Sequence, residues 1–398
     1  MTELLSVARA EALIRENTNR FGTETVPLTA AMGRVLRQTV RAERALPPFD
    51  RVMMDGVACR LEDGASLRIA GMQAAGAPPR TLPEGAVCLE VTTGAVLPQG
   101  ADTVIPVERL VREGDNARLQ DGYAAERGQF IHRQGADCAA AEELLAPGVR
   151  LNAPAMAVLA SNGVSNVKVA QIPSIGIIST GNELVAPEDD VAPWQIRRSN
   201  EYALAGALHA RGFTRHDFAL VQDDLAATTA LLEKQLARHD VLVLSGGVSM
   251  GEYDYVPRAL AALGVDRIFH KIAQRPGKPM WFGVGPQGQR VFALPGNPVS
   301  ALVCGVRYVV PALLEAQGLN APFTFPIRLQ EPVARIPTLT RFVPVRLHHD
   351  EQGQALGLPR PMTTSGDFNR LSDTDGFVAL DPGPGEAQSG DIARFYAW

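Results

Sequence analysis

Four turns in the middle of the chain set glycine beside groups that carry charge or bind hard cations. STGNEL (residues 179–184) presents Glu183, and SGGVSMGEYDY (residues 245–255) presents Ser245, Ser249, Glu252 and Asp254 around Gly246 and Gly247. RPGKP (residues 275–279) sets Arg275 and Lys278 around Gly277, the only pair of cations in these turns. PGNPVSA (residues 295–301) places Pro295 and Gly296 before Asn297, a good N-cap, and Pro298 at the first helical position, so the next N–H groups are free for an anion. Glycine lets the backbone come close to a ligand, and free helix N–H groups point at its negative charge. The chemistry that follows is binding of a phosphate or another oxyanion.

Any one of these turns is most simply a tight turn. Their joint placement, with two directly following the apolar runs VLVL (residues 241–244) and VFAL (residues 291–294), shifts the reading to one pocket at the strand ends of an open α/β sheet. Neither G-x-x-x-x-G-K-[ST] nor G-x-G-x-x-G is present, which excludes a P-loop or nicotinamide fingerprint. Glu183, Asp223 or Asp224, and Asp254 gather at one sheet edge if the strand order allows it. Carboxylates beside a phosphate pocket suit Mg²⁺, with Glu183, Asp223 and Asp254 as the candidate ligands. One of Asp223 and Asp224 is read instead as the N-cap of a helix beginning near Leu225.

The elements that must position these turns follow from periodicity. From residue 174 strand and helix patterns alternate, which predicts a mostly parallel sheet covered by helices on both faces over residues 171–320. Residues 46–137 read as a small β module with turn signals every eight to twelve residues, and residues 321–398 as a second small β domain. Residues 1–45 and 138–170 make a helical and mixed region: an amphipathic helix from Leu4, Leu5, Ala8, Ala12 and Leu13, a helix-like GRVLRQTV (residues 33–40), and a helix capped by Asn152. In the first β module Asp55-Gly56 reads as a hairpin turn. TTGA (residues 92–95) is a second sharp turn, and HRQGAD (residues 132–137) sets His132, Arg133 and Asp137 around a glycine.

With 398 residues the chain predicts several domains. A net charge of −5, no Lys/Arg block and few aromatics argue against a nucleic-acid groove. The four cysteines are scattered and the seven histidines have no chelating spacing, so neither a disulfide framework nor a zinc cluster is indicated. The N-terminal segment lacks signal-peptide features. The most apolar helix (residues 301–319) carries Arg307, Pro311 and Glu315 and reads as a core helix, so a cytoplasmic protein without a membrane span is expected.

The segments FDRVMMDGVA, TTGAVLPQGADTVIPVE, RQGAD, STGNEL, SNEYAL, SGGVSMGEYDY, RPGKP and LPGNPVSA occur in the order seen in the MoeA/gephyrin E-domain family, and the chain resembles that family over nearly its whole length. The resemblance implies a molybdopterin molybdenumtransferase. Such an enzyme binds adenylylated molybdopterin, inserts molybdate with Mg²⁺, and releases AMP and molybdenum cofactor. It also implies an elongated homodimer with a MogA-like α/β domain, whose site is completed by the β module of the other subunit, so that Asp55, Thr93 and Asp137 approach the glycine-rich turns. Adenylyltransferase and apo-molybdoenzyme partners are further implications. On that pattern Asp55, Asp137, Glu183, Asp254 and Lys278 are catalytic. Thr93, Ser245, Gly246, Gly247, Ser249, Arg275, Gly277, Pro295, Gly296, Asn297 and Pro298 bind substrate. Tungstate insertion and a non-catalytic molybdopterin carrier are the alternatives. The chain departs from the family pattern at Val52, Met53 and Val57 around the acidic turn, at Asn182 where T-G-D-E is usual, and at Arg275 where lysine is common.

Overall fold

The computed structural model describes residues 4–248, 255–320, 324–362, 364, 366 and 368–398. Ser249, Glu252 and Asp254 therefore lie outside the described residues. Seven helices are labelled in chain order: α1 (Val7–Glu16), α2 (Ala153–Ser161), α3 (Asn200–His209), α4 (Leu225–Arg238), α5 (Val256–Ala262), α6 (Pro298–Cys304) and α7 (Val310–Ala316).

The expected parallel sheet is present. Strands His216–Val221, Ile175–Thr180, Val241–Ser245 and Arg290–Leu294 are parallel neighbours in that spatial order, and Trp281–Val284 and Asp266–His270 extend the sheet antiparallel. Alternating side chains leave each strand on opposite faces. Ile175, Ile177, Val241, Val243 and Phe292 join a core with α1, α3 and α7, while Ile178, Leu242, Leu244 and Val291 join one with α4 and α5. Each such side chain contributes roughly 1.5–3 kcal/mol on burial, so both faces hold the strand ends in place. Asp224, not Asp223, caps α4: its Oδ1 accepts from Ala227 N–H at 2.8 Å. Asn152 likewise caps α2, accepting from Ala155 N–H at 3.1 Å.

A helix of 19 residues, Pro298–Ala316, is apolar enough to cross a membrane by length and composition, yet most of it is buried within the fold. A π turn at Gly305–Val309 lies between α6 and α7. Pro311 has no N–H and its ring crowds the carbonyl four residues back, and the wider turn relieves that conflict. Arg307 in this turn is buried, paired with Glu11 of α1 at 2.9 Å and lying over the rings of Tyr308 and Tyr396.

Several local expectations are corrected. The expected N-terminal helix is present as Val7–Glu16 and packs Ala10, Leu13 and Ile14 on the α/β core, but Leu4 and Leu5 precede it and Ala8 is exposed. GRVLRQTV is not helical: adjacent Val35 and Leu36 are both buried and bridge to Arg150 and Val169, and extended backbone lets neighbouring side chains bury on opposite sides. Asp55-Gly56 does not turn a hairpin. Arg51–Val52 pairs with Ile131–His132, whereas Gly56–Cys59 pairs with Val87–Val91 and Thr103–Pro106 inside a six-stranded sheet. In that sheet Cys59 stands opposite Cys88, and all four cysteines are free and buried.

RPGKP also does more than turn. Gln274–Arg275 leaves the α/β sheet and runs parallel to Thr340–His349, setting Arg275 opposite Arg341 on the edge of the C-terminal six-stranded sheet. That sheet, built otherwise from Thr324–Leu329, Thr340–His349, Ala355–Pro359, Gly376–Leu380 and Ile392–Ala397, is the β domain expected over residues 321–398.

Asp224→Ala is expected to cost about 1 kcal/mol of unfolding free energy through the lost cap, and Asp223→Ala close to none. Urea denaturation of both variants checks this, and equal losses would contradict the assignment of the cap.

Candidate functional site

Because Ile175–Thr180, Val241–Ser245 and Arg290–Leu294 run in parallel register, the turns that follow them open at the same sheet edge. They surround a cleft of about 450 Å³ lined by Glu183, Asp223, Ser245, Gly246, Gly247, Pro295, Gly296, Asn297 and Pro298. Nine residues singled out from sequence are thus brought together here. The side chain of Asn200, at the start of α3, ties the edge: its Nδ2 donates to Ser245 Oγ at 2.6 Å and to Gly296 O at 2.8 Å.

The glycine at 246 is required by the protein itself. Its φ is +98°, and a Cβ there would lie 2.6 Å from Thr180 Oγ1. Its N–H donates to Leu294 O at 3.1 Å, so this donor is spent on the neighbouring strand and not held for an anion. Asn297 occupies the N-cap position of α6 with Pro298 following, but its side chain makes no capping hydrogen bond, contrary to its residue type.

Arg275, Gly277 and Lys278 do not line this cleft. They line an adjoining one of about 490 Å³, between the α/β sheet and the C-terminal domain, and the two clefts share Pro279, Pro295 and Asn297 as a common wall. Gly277 has φ +92° and a Cβ would lie 2.5 Å from Cys304 Sγ, so the loop that presents the two exposed cations is locked onto α6. Arg341 enters the same cleft from the C-terminal sheet, its ionisation pushed down by burial and by the charge of Arg275.

Among the described residues no three His, Cys, Asp or Glu side chains converge as a metal-binding set. Glu183 and half-buried Asp223 nevertheless line one cleft, and two hard carboxylates with ligand oxygens are the donor set Mg²⁺ uses. Asn182 Oδ1 accepts from Asp223 N–H at 3.1 Å, so the asparagine keeps the acceptor that an aspartate would supply.

Asp55, Thr93 and Asp137 line neither cleft. Exposed Asp55 lies at the mouth of a separate groove with Val57 and Thr92. It accepts from Thr93 N–H at 2.6 Å and from Thr93 Oγ1 at 2.8 Å, and these two bonds hold its carboxyl below the usual range. Asp137 is paired with His132 at 2.8 Å.

Sequence reasoning missed Arg198, Asn200, Glu201 and Arg341. Arg198 and Asn200 line the first cleft, and Glu201 is fully buried behind it. The available signal was RRSNE (residues 197–201), where two arginines precede a helix start and overlap SNEYAL, a segment that carries the family resemblance.

Three family models match in succession: "MoeA N-terminal region (domain I and II)" over residues 5–163, "Probable molybdopterin binding domain" over residues 176–315, and "MoeA C-terminal region (domain IV)" over residues 326–398. The molybdopterin molybdenumtransferase of Synechocystis is 38% identical, covering 99% of this chain and 100% of its own. That of Bacillus subtilis is 29% identical over 92% of this chain and 88% of its own. The crystal structure of the molybdopterin biosynthesis MoeA protein from Pyrococcus horikosii superposes with a TM-score of 0.84 at 30% identity, covering 99% of both chains. With matching family models in chain order and a full-length relative, the chain belongs to the MoeA family, the family of the molybdopterin molybdenumtransferases.

Proposed function

We propose that the protein inserts molybdate into adenylylated molybdopterin, releasing AMP and giving molybdenum cofactor. The observation that carries this is the pair of adjoining clefts with one shared wall. One is lined by carboxylates and glycine-rich strand ends, the other by Arg275, Lys278 and Arg341. A pterin nucleotide in the first and an oxyanion in the second stand side by side, which converts a bimolecular encounter into a local one.

Each side chain then has a definite task. Arg275, Lys278 and Arg341 hold oxyanion oxygens by charge-assisted hydrogen bonds, and the arginine at 275 does so as a planar fork. Glu183 and Asp223 would hold Mg²⁺, with Asp254 as a further candidate outside the described residues. When bound, the cation neutralises charge building on the cleaved phosphate bridge. Asp55, kept ionised by Thr93, accepts a proton or orients the attacking oxygen. Because Asp55, Thr93 and Asp137 stand apart from both clefts within one chain, this reading needs a second copy whose β module covers the clefts.

Purified protein given adenylylated molybdopterin, Mg²⁺ and molybdate is expected to release AMP and yield cofactor that activates an apo-molybdoenzyme. Cofactor binding with no AMP above background would instead favour a carrier, and preferential turnover with tungstate the other alternative. Asp55→Ala is expected to abolish AMP release while leaving the thermal midpoint nearly unchanged, since the side chain is exposed. A large fall in the midpoint would make its role structural.

The Asp55–Thr93 bonds also predict a pH effect. A carboxyl held low in the folded state contributes stability above its unfolded pKa, and loses it as pH falls through the folded value. Thr93→Val is expected to bring the Asp55 carboxyl up and move the acid limb of activity to higher pH. An unshifted limb in the pH–rate profile would remove Asp55 from the proton inventory.

A further inference from the structure

Glu201 is 0% exposed, in the first turn of α3, behind the cleft that Glu183 and Ser245 line. A carboxylate in such a place persists only when it is paired. Ser179 Oγ donates to its Oε2 at 3.0 Å, and Arg198 Nη1 stands 3.4 Å from its Oε1. Arg198 is itself only 17% exposed, yet it lines the cleft. Its Nε is buried with no hydrogen-bond partner, and so are Thr180 Oγ1 and Asn200 Oδ1 on the same cleft wall. An unmet buried donor is costly, and a guanidinium that lines a cleft while its Nε is sealed behind it has its outer N–H groups to offer an anion there.

We propose that Arg198 is an anion-binding residue of this cleft, taking a phosphate oxygen of the bound substrate, and that Glu201 is the positioning residue that fixes its guanidinium. Arg275, Lys278 and Arg341 serve the adjoining cleft, so the two anionic groups have separate cationic walls. The choice of phosphate as the anion rests on the transferase reading; the existence of the subsite does not.

The test is equilibrium binding of inorganic pyrophosphate to the full chain with molybdate saturating, together with molybdate binding measured alone. Arg198→Ala is expected to weaken pyrophosphate about tenfold or more and to leave molybdate within about twofold. Because that variant strands a buried carboxylate, R198M/E201Q, which removes both charges at similar volume, is expected to fold normally and show the same selective loss. Glu201→Gln keeps the Ser179 bond but frees the guanidinium, so it is expected to weaken pyrophosphate several-fold. If Glu201 merely damped the charge of Arg198, Glu201→Gln would tighten pyrophosphate, and that result overturns the positioning role. Unchanged pyrophosphate affinity in R198M/E201Q, or full displacement of pyrophosphate by molybdate, overturns the subsite. Selective pyrophosphate loss in a protein that releases no AMP from adenylylated molybdopterin would sustain the subsite while sinking the transferase reading.

Discussion

The bond on which the site depends is the one made by the Asn200 amide. By donating to Ser245 Oγ and Gly296 O together, it joins the turn after Val241–Ser245 to the turn after Arg290–Leu294. Both turns leave parallel strands whose side chains fill two cores, so the amide acts on ends already held in register. Gly246 N–H to Leu294 O ties the same two turns through the backbone, and His270 Nε2 stands 3.1 Å from Val248 O. A charged buried pair, Arg198 and Glu201, sits on the same helix start. The first turn of α3 is thus the element from which the cleft wall is built.

The division of charge between the clefts follows from the topology. Gln274–Arg275 leaves the α/β sheet to pair with the C-terminal sheet, which carries Arg275 and Lys278 away from the carboxylate cleft and toward Arg341. Arg275, Lys278 and Arg341 are therefore kept on the far side of Pro279, Pro295 and Asn297 from Glu183 and Asp223, while Arg198, paired with buried Glu201, stays on the carboxylate side. On the proposed reading this separation lets one cleft take a cation with a phosphorylated pterin while the other concentrates an oxyanion. The third component, Asp55 with Thr93, is built on a sheet of its own and is preset by two hydrogen bonds to remain ionised.

Much of this was legible because local signals and tertiary demands agreed. The alternation of apolar runs with helical periods placed the parallel sheet, and the glycine-bearing turns after Thr180, Ser245 and Leu294 marked the edge at which the cleft opens. The choice between Asp223 and Asp224 was also framed correctly, since only one carboxylate can cap α4. What failed depended on contacts distant in sequence. Val35 and Leu36 are extended because partners from residues 150 and 169 bracket them, which overrides a helical pattern. Asp55-Gly56 has hairpin chemistry, yet its flanking strands find partners elsewhere. Arg341 meets Arg275 only once folding pairs Gln274–Arg275 with the C-terminal sheet, and no spacing in the chain announces that pair, whereas Arg198 and Glu201 stand three apart at a helix start and were legible in RRSNE.

The central claim is that a complete site takes its phosphate and oxyanion walls from one copy of the chain and Asp55 from another. Mixing Asp55→Ala and Lys278→Ala, each expected to be inactive alone, under conditions that let subunits exchange, tests it directly. In a mixed dimer one site carries both lesions and the other carries neither. Recovery of AMP release on mixing is the expected result. If mixed dimers form, as shown by differently tagged chains, and activity stays absent, both residues act within the same copy and the shared site is wrong.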